Sequence, residues 1–257
     1  MFDGELAQLK SSSEIERAVR YDGKSNSLRI GDRTHIADGA CGSIYRIRDA
    51  DLIGADGRSR RIPGTFVIKE YRLVTRDDIS EFLTLHETLK KSGADTWRTF
   101  RLIDGRNMAI MTDGEADDSE TVSRSNVSES SERLLSEGVD DFFGVELSVR
   151  KATESAVRAG RLGVVVPGDS WFANISTGSI PENVGKSREL KRIFIGDYDT
   201  LYVKQDEVNA VIQRNLKELL EFLEDLITRF VASKEHGDRL KELVREQVRK
   251  ADSNDID

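Results

Sequence analysis

Residues 164–199 constrain this chain most. Three consecutive valines at 164–166 read as a short buried strand, which runs through Pro167 and Gly168 into Asp169. Asn174 follows after four intervening residues. A second apolar run at 193–195 ends at Gly196 and delivers Asp197, with Asp199 two positions further on. Carboxylates and a carboxamide, each at the end of a short strand, form a hard-oxygen metal site with a base beside it. Phosphoryl transfer needs such a set. Magnesium takes one or two carboxylates plus substrate phosphates, and a separate Asp orients the attacking hydroxyl.

Composition narrows the alternatives. The 257 residues, 37% hydrophobic and 33% charged, supply enough chain for a sizeable core in one or two domains. A net charge of −8 argues against a nucleic-acid backbone or an anionic membrane surface as the main partner. Cys41 is the only cysteine, so neither a disulfide framework nor a zinc cluster is expected. No run approaches the roughly 18 apolar residues of a membrane span. The early residues lack the basic-then-apolar pattern of a signal peptide. The cytoplasm is therefore the expected compartment, although secretion by a signal-less route leaves no mark in a sequence. His35, His86 and His236 are scattered and suggest neither a metal site nor a catalytic dyad.

In chain order, Ser13 with Glu16 fits a capping box before a short helix. Residues 27–36 read as a strand. Gly39 and Gly42 then lie between strand-like runs, a hairpin whose tight turn brings backbone N–H groups close to phosphates. A polar insert at 49–64 carries Asp56-Gly57 and caps a long strand pair. Lys69 ends a run of β-favouring residues, Phe66, Val67 and Ile68. Residues 77–91 are predicted helical from Ile79, Phe82, Leu83, Leu85 and Leu89, with Glu81 and Glu87 as acids, and Gly93 ends the helix. Residues 96–103 and 107–111 read as two strands joined by Asp104-Gly105, with Trp97 as packing. Residues 116–137, rich in Ser, Asp and Glu, read as a flexible segment or a loose helix. Residues 139–159 are predicted helical on Phe142, Phe143, Leu147, Ala152, Ala156 and Val157, and 176–191 form a polar hairpin. The longest helix spans 207–234 with a stripe that includes Val208, Ile212, Leu216, Leu219 and Leu223. His236-Gly237 breaks it, and a last amphipathic helix precedes an acidic tail.

The D-x-x-x-x-N of Asp169 and Asn174, followed by strand-borne Asp197, resembles the catalytic loop and metal-binding Asp of the protein kinase-like superfamily. Pro167-Gly168-Asp169 and Asp197-Tyr198-Asp199 stand where protein kinases carry H-R-D and D-F-G. These variants look more like aminoglycoside and choline phosphotransferases. The segment from Ala37 through Gly39 and Gly42 to Ile44 resembles the kinase glycine-rich loop, with Ala37 replacing the first glycine. Residues 66–69 resemble the V-A-I-K strand. Glu81, four before Leu85, resembles the helix glutamate that holds the lysine, with Glu87 in reserve. The series covers most of residues 30–230.

The resemblance implies an α+β protein with a two-lobed kinase-like fold. An antiparallel-sheet N-lobe would span 1–113, a hinge 112–115, and a mostly helical, shortened C-lobe 114–257. It implies ATP and magnesium as cofactors. Gly39 and Gly42 would cover the phosphates, Ile44 the adenine, and Met111 the back of the nucleotide pocket. Lys69, held by Glu81, would bind the phosphates, Asn174 and Asp197 the metal, and Asp169 the substrate hydroxyl. The chain departs from the pattern at Trp171, where Ser/Thr protein kinases carry Lys, and no A-P-E motif follows Asp197. Three readings stay open. The first is a minimal protein kinase acting on Ser/Thr hydroxyls of a protein partner. The second is a kinase of a small hydroxylated or amino-bearing metabolite, and the third a pseudokinase interaction module. The oligomeric state is open as well.

Overall fold

The computed structural model describes residues 27–30, 33–39, 41–53, 59–72, 74–103, 107–112, 120–124, 139–179, 186–205, 207–231 and 233–253. The expected capping box at Ser13 and Glu16, the hinge at 113–115, the turns at Asp56-Gly57 and Asp104-Gly105, and the acidic tail lie outside these residues. The described residues fall into two compact units, Met1–His86 with Trp97–Asp117, and Glu87–Thr96 with Asp118–Asp257. Both mix helix with largely antiparallel sheet, which makes the chain α+β.

The first unit is a six-stranded antiparallel sheet with one helix. Its strands are β1 (Ser27–Ile30), β2 (Arg33–Gly39), β3 (Gly42–Ile53), β4 (Ser59–Tyr71), β5 (Thr99–Ile103) and β6 (Met108–Thr112). They run in the order β1-β3-β4-β6-β5, with β2 also pairing β3. The single strand expected over 27–36 is two short strands, both paired with β3. The polar insert adds length to a strand pair that continues to Ile53 opposite Ser59. Helix α1 (Arg76–Ser92) starts at a reciprocal cap: the Thr75 N–H donates to Asp78 Oδ2 at 2.8 Å, and the Asp78 N–H to Thr75 Oγ1 at 3.2 Å. The helix packs on the sheet through Phe82 against Tyr71 and His86 against Phe100, with ring centroids 5.9 and 5.6 Å apart. Trp97 is buried as packing, and its carbonyl lies 2.9 Å from His86 Nε2.

The second unit is built on helices α2 (Val145–Arg161), α3 (Val208–Phe230) and α4 (Lys234–Ser253). Strands β7 (Glu120–Ser123), β8 (Val139–Phe143), β10 (Trp171–Ser179) and β11 (Lys186–Ile195) form a sheet in the order β7-β10-β11-β8. Two further strands, β9 (Val164–Val165) and β12 (Tyr202–Val203), pair antiparallel. The stretch after α1 is held here too: Arg192 pairs with Asp95, and the Ile195 N–H donates to the Asp95 carbonyl at 2.9 Å.

Several expectations change. Residues 139–143 are a strand parallel to β11, because Gly144 sits at φ 74 and separates them from α2. The buried stripe of α2 is then Val145, Val149, Ala152, Ala156 and Ala159, while Leu147 is exposed. Within 116–137, Glu120–Ser123 form β7 rather than a loop or helix, since alternation gives Val122 a buried site against β10. The hairpin at 176–191 is largely regular strand. The last helix break falls at 231–233, where the Ser233 hydroxyl accepts the His236 N–H at 3.3 Å, so His236 and Gly237 lie inside α4.

At the centre of this unit Asn215 of α3 is fully buried. Its Oδ1 accepts the Val166 N–H at 2.8 Å, and its Nδ2 donates to the carbonyls of Val164 at 2.9 Å and Ala156 at 3.2 Å. One side chain thus ties α3 to α2 and to the strand that leads to Asp169. Asn215→Leu should destabilise the protein by about 3 kcal/mol, because a buried N–H loses its only acceptor. A lower urea midpoint at unchanged slope would show it, and an unmoved midpoint would contradict it.

Candidate functional site

The first unit gathers four of the expected residues on one face of its sheet. Directly opposed residues of an antiparallel pair share a face, as do alternate residues of one strand. Gly42 opposes Tyr71, Ile44 opposes Lys69, Lys69 opposes Ala109, and Val67 opposes Met111. Gly42, Ile44, Lys69 and Met111 therefore point the same way, on the face that α1 covers. Lys69 and Met111 are buried and Ile44 is half-buried. The Lys69 ammonium lies 5.3 Å from the Tyr71 ring centroid.

Gly39 opposes Gly42 across a hairpin whose connection is residues 40–41. Gly42 has a packing reason to be glycine, since any Cβ there would collide with the Glu70 carbonyl oxygen. Next to this turn Asp38 accepts from Ser43 Oγ and from Arg72, and His35 Nε2 lies 3.2 Å from its second oxygen. The Ser43 hydroxyl first, and His35 next, hold the Asp38 carboxyl below the ordinary carboxylate range. Glu81 is exposed on α1, outside the stripe of Ile79, His86 and Leu89 that the helix buries, and Glu87 is half-buried.

The second unit brings Asp169 and Asp197 to the base of one hairpin. Asp169 lies in a single 3₁₀ turn, Gly168–Ser170, directly before β10. Trp171 opposes Ile195, and the Gly196 N–H donates to the Ser170 carbonyl at 2.9 Å, so the two chains stay paired up to the acids. Ser170 Oγ and Thr200 Oγ1 are 2.5 Å apart, and Thr200 Oγ1 donates to the Asp197 carbonyl at 2.9 Å. Between Asp197 and Asp199, Tyr198 is buried, its hydroxyl donating to the Ile195 carbonyl at 3.2 Å. Asp169 is exposed; Asp197 and Asp199 are half-buried.

Asn174 is not part of this gathering. It lies within β10 opposite Arg192, four residues beyond Ser170, or roughly 13 Å along an extended strand. It is fully buried, its Oδ1 accepts from Thr121 Oγ1 at 3.1 Å, and the residue facing it is a cation. That is a poor setting for a divalent ion. β10 begins immediately after the 3₁₀ turn, so Asn174 falls inside the strand.

Sequence reasoning missed three residues. Glu218, one turn beyond Asn215 on the same face of α3, accepts the Gly168 N–H at 3.0 Å. Asn215 and Glu218 thus take the N–H groups of residues 166 and 168 and fix the approach to Asp169. Arg124, the residue after β7, reaches the same turn: a methyl group added at Gly168 would stand 2.7 Å from Arg124 Nη1 and 3.3 Å from Glu218 Oε2. The signal for Asn215 was present, as an uncharged polar residue inside the apolar stripe of α3. Arg124 carried no signal, because residues 116–137 read as a flexible segment or a loose helix.

The chain matches no family model, and no curated protein matches it.

Asn174 supplies a test of this geometry. Asn174→Ala should cost about 1 kcal/mol of stability through the lost Thr121 hydrogen bond and, on the reading that the chain binds a magnesium nucleotide, should leave that affinity within twofold. A tenfold loss of that affinity at unchanged stability would restore Asn174 as a metal ligand.

Proposed function

We propose that the protein is an ATP- and magnesium-dependent phosphotransferase with a two-lobed kinase-like fold. The observation that carries the reading is the convergence of Asp169 and Asp197 at the base of one hairpin in the second unit. The shared face of Gly42, Ile44, Lys69 and Met111 in the first unit supports it. The reading assigns nucleotide handling to the first unit and chemistry to the second.

In this reading Lys69 neutralises phosphate charge. Its burial strengthens that role, because a cation in a dry site interacts more strongly than one in water. Gly39 and Gly42 place backbone N–H groups at a tight turn, and Ile44 and Met111 supply apolar contact for a base. Asp197, with Asp199, would hold magnesium, whose charge when bound offsets that of the phosphates. Asp169 orients the acceptor hydroxyl and takes its proton. It is the one exposed acid on a turn whose backbone is pinned by Asn215 and Glu218. Positioning of this kind dominates when the transition state is loose. A protein hydroxyl is the favoured acceptor, a small hydroxylated or amino-bearing metabolite the second.

Lys69→Met keeps the apolar stem packed and removes the charge. Transfer should fall about a hundredfold or more while the unfolding midpoint holds. Unfolding of the variant, or intact transfer, would show that the lysine has another task.

The two aspartates should separate. Asp197→Asn should weaken magnesium-dependent ATP binding, since a ligand charge on a divalent ion is lost. Asp169→Asn should leave that binding within twofold and slow single-turnover transfer about a hundredfold or more. Calorimetry beside single-turnover kinetics reads both, and equal loss of nucleotide affinity in the two variants would contradict the assignment.

A further inference from the structure

The turn at Asp169 offers little besides one carboxylate. Gly168 has no side chain, Ser170 is buried with its hydroxyl on Thr200, and Trp171 is fully buried in the core. The other acidic groups brought to the turn are Asp197, next to the Gly196 that bonds Ser170, and Glu218, on the Gly168 N–H. A phosphoryl group arriving here meets an acidic region, and no residue of the turn itself answers it.

Arg124 answers it from the neighbouring strand. β7 pairs antiparallel with β10, with Phe172 opposite Ser123 and Ala173 opposite Val122. Continuing that register sets Arg124 opposite Trp171, at the start of β10. Its guanidinium reaches back over Gly168, one residue from Asp169, with Nη1 2.7 Å from the position a Cβ there would take. The absence of a side chain on Gly168 is what leaves room for it. Arg124 is exposed, and among the described residues no salt bridge engages it. The Glu218 carboxylate, whose Oε2 accepts the Gly168 N–H, flanks the same position at Gly168.

We propose that Arg124 is a catalytic residue that receives the phosphoryl group at Asp169, donating two parallel N–H bonds to its oxygens. The inference rests on the phosphotransferase reading. A planar guanidinium matches two phosphate oxygens in a way an ammonium does not. In the step itself the acceptor oxygen forms a bond to the γ-phosphorus and passes its proton to Asp169. The bond from that phosphorus to the bridging oxygen breaks, and its electron pair leaves with ADP. Arg124 holds the equatorial oxygens on which charge rests throughout. A donor placed this way acts on the transferring group more than on the bound nucleotide, so its loss appears in kcat rather than in ATP affinity.

The test compares the wild-type full chain with Arg124→Gln and Arg124→Lys in magnesium-dependent turnover of ATP, with ATP affinity measured by calorimetry and stability by urea unfolding. Arg124→Gln should lower kcat about a hundredfold, hold the ATP Kd within twofold and leave the unfolding midpoint in place. Arg124→Lys should recover part of the rate. A glutamine variant that keeps kcat within threefold of wild type overturns the inference alone. So does a loss of ATP affinity as large as the loss of rate, or a lowered midpoint in both variants with no rescue by lysine. A wild-type protein that binds ATP and never transfers its phosphate overturns the parent reading, and this inference with it.

Discussion

Three hydrogen bonds from one buried amide set the geometry of the second unit. The carboxamide of Asn215 takes the Val166 N–H and gives its own N–H groups to the Val164 and Ala156 carbonyls. A buried backbone group left unpaired costs more than a made bond contributes, so the chain at 164–166 has little freedom to lie elsewhere. Glu218, a turn further along the same helix, repeats the device at Gly168. From there the pairing of β10 with β11 carries the constraint across to Gly196 and Asp197. Exposed acids are usually mobile. Here the backbones that carry Asp169 and Asp197 are hydrogen-bonded up to the residue before each.

Charge gives the same region its chemical character. The chain is acidic overall, with 47 Asp and Glu against 39 Lys and Arg. The base of the hairpin adds to that excess with Asp169, Asp197 and Glu218. On the proposed phosphotransferase reading, such a surface repels phosphate unless cations accompany it, and a divalent ion and Arg124 would be complementary parts of one arrangement. The first unit meets the problem differently. It buries Lys69 between apolar strands, Ile44 on one side and Ala109 on the other, with the Tyr71 ring beneath the ammonium.

Much of the first unit is legible in the sequence, because its signals are local. The β-favouring run before Lys69, the glycines at 39 and 42, and the period of Ile79, Phe82 and Leu89 each depend on neighbours a few residues away. The second unit is harder. Phe142 and Phe143 fit a helical pattern as readily as a strand, and the left-handed turn at Gly144 decides between them. Glu120–Ser123 sit in a polar stretch, and their strand is specified by β10, some fifty residues away. The two aspartates were visible as acids ending apolar runs. Asn174 lies inside β10 rather than beside the two acids, because spacing along the chain does not reveal where a strand begins. Glu218 and Arg124 act through contacts with Gly168, a residue with no side chain to mark them.

The central claim is that the second unit moves a phosphoryl group. It is tested most directly by incubating the wild-type chain with ATP labelled at the γ-phosphate and magnesium, alone and with a cell lysate or a panel of hydroxylated and amino-bearing metabolites. The account requires label to pass from ATP to an acceptor, and the transfer to stop when magnesium is chelated. Label that stays in ATP under every condition, with ATP bound, would contradict it and leave a nucleotide-binding interaction module in its place.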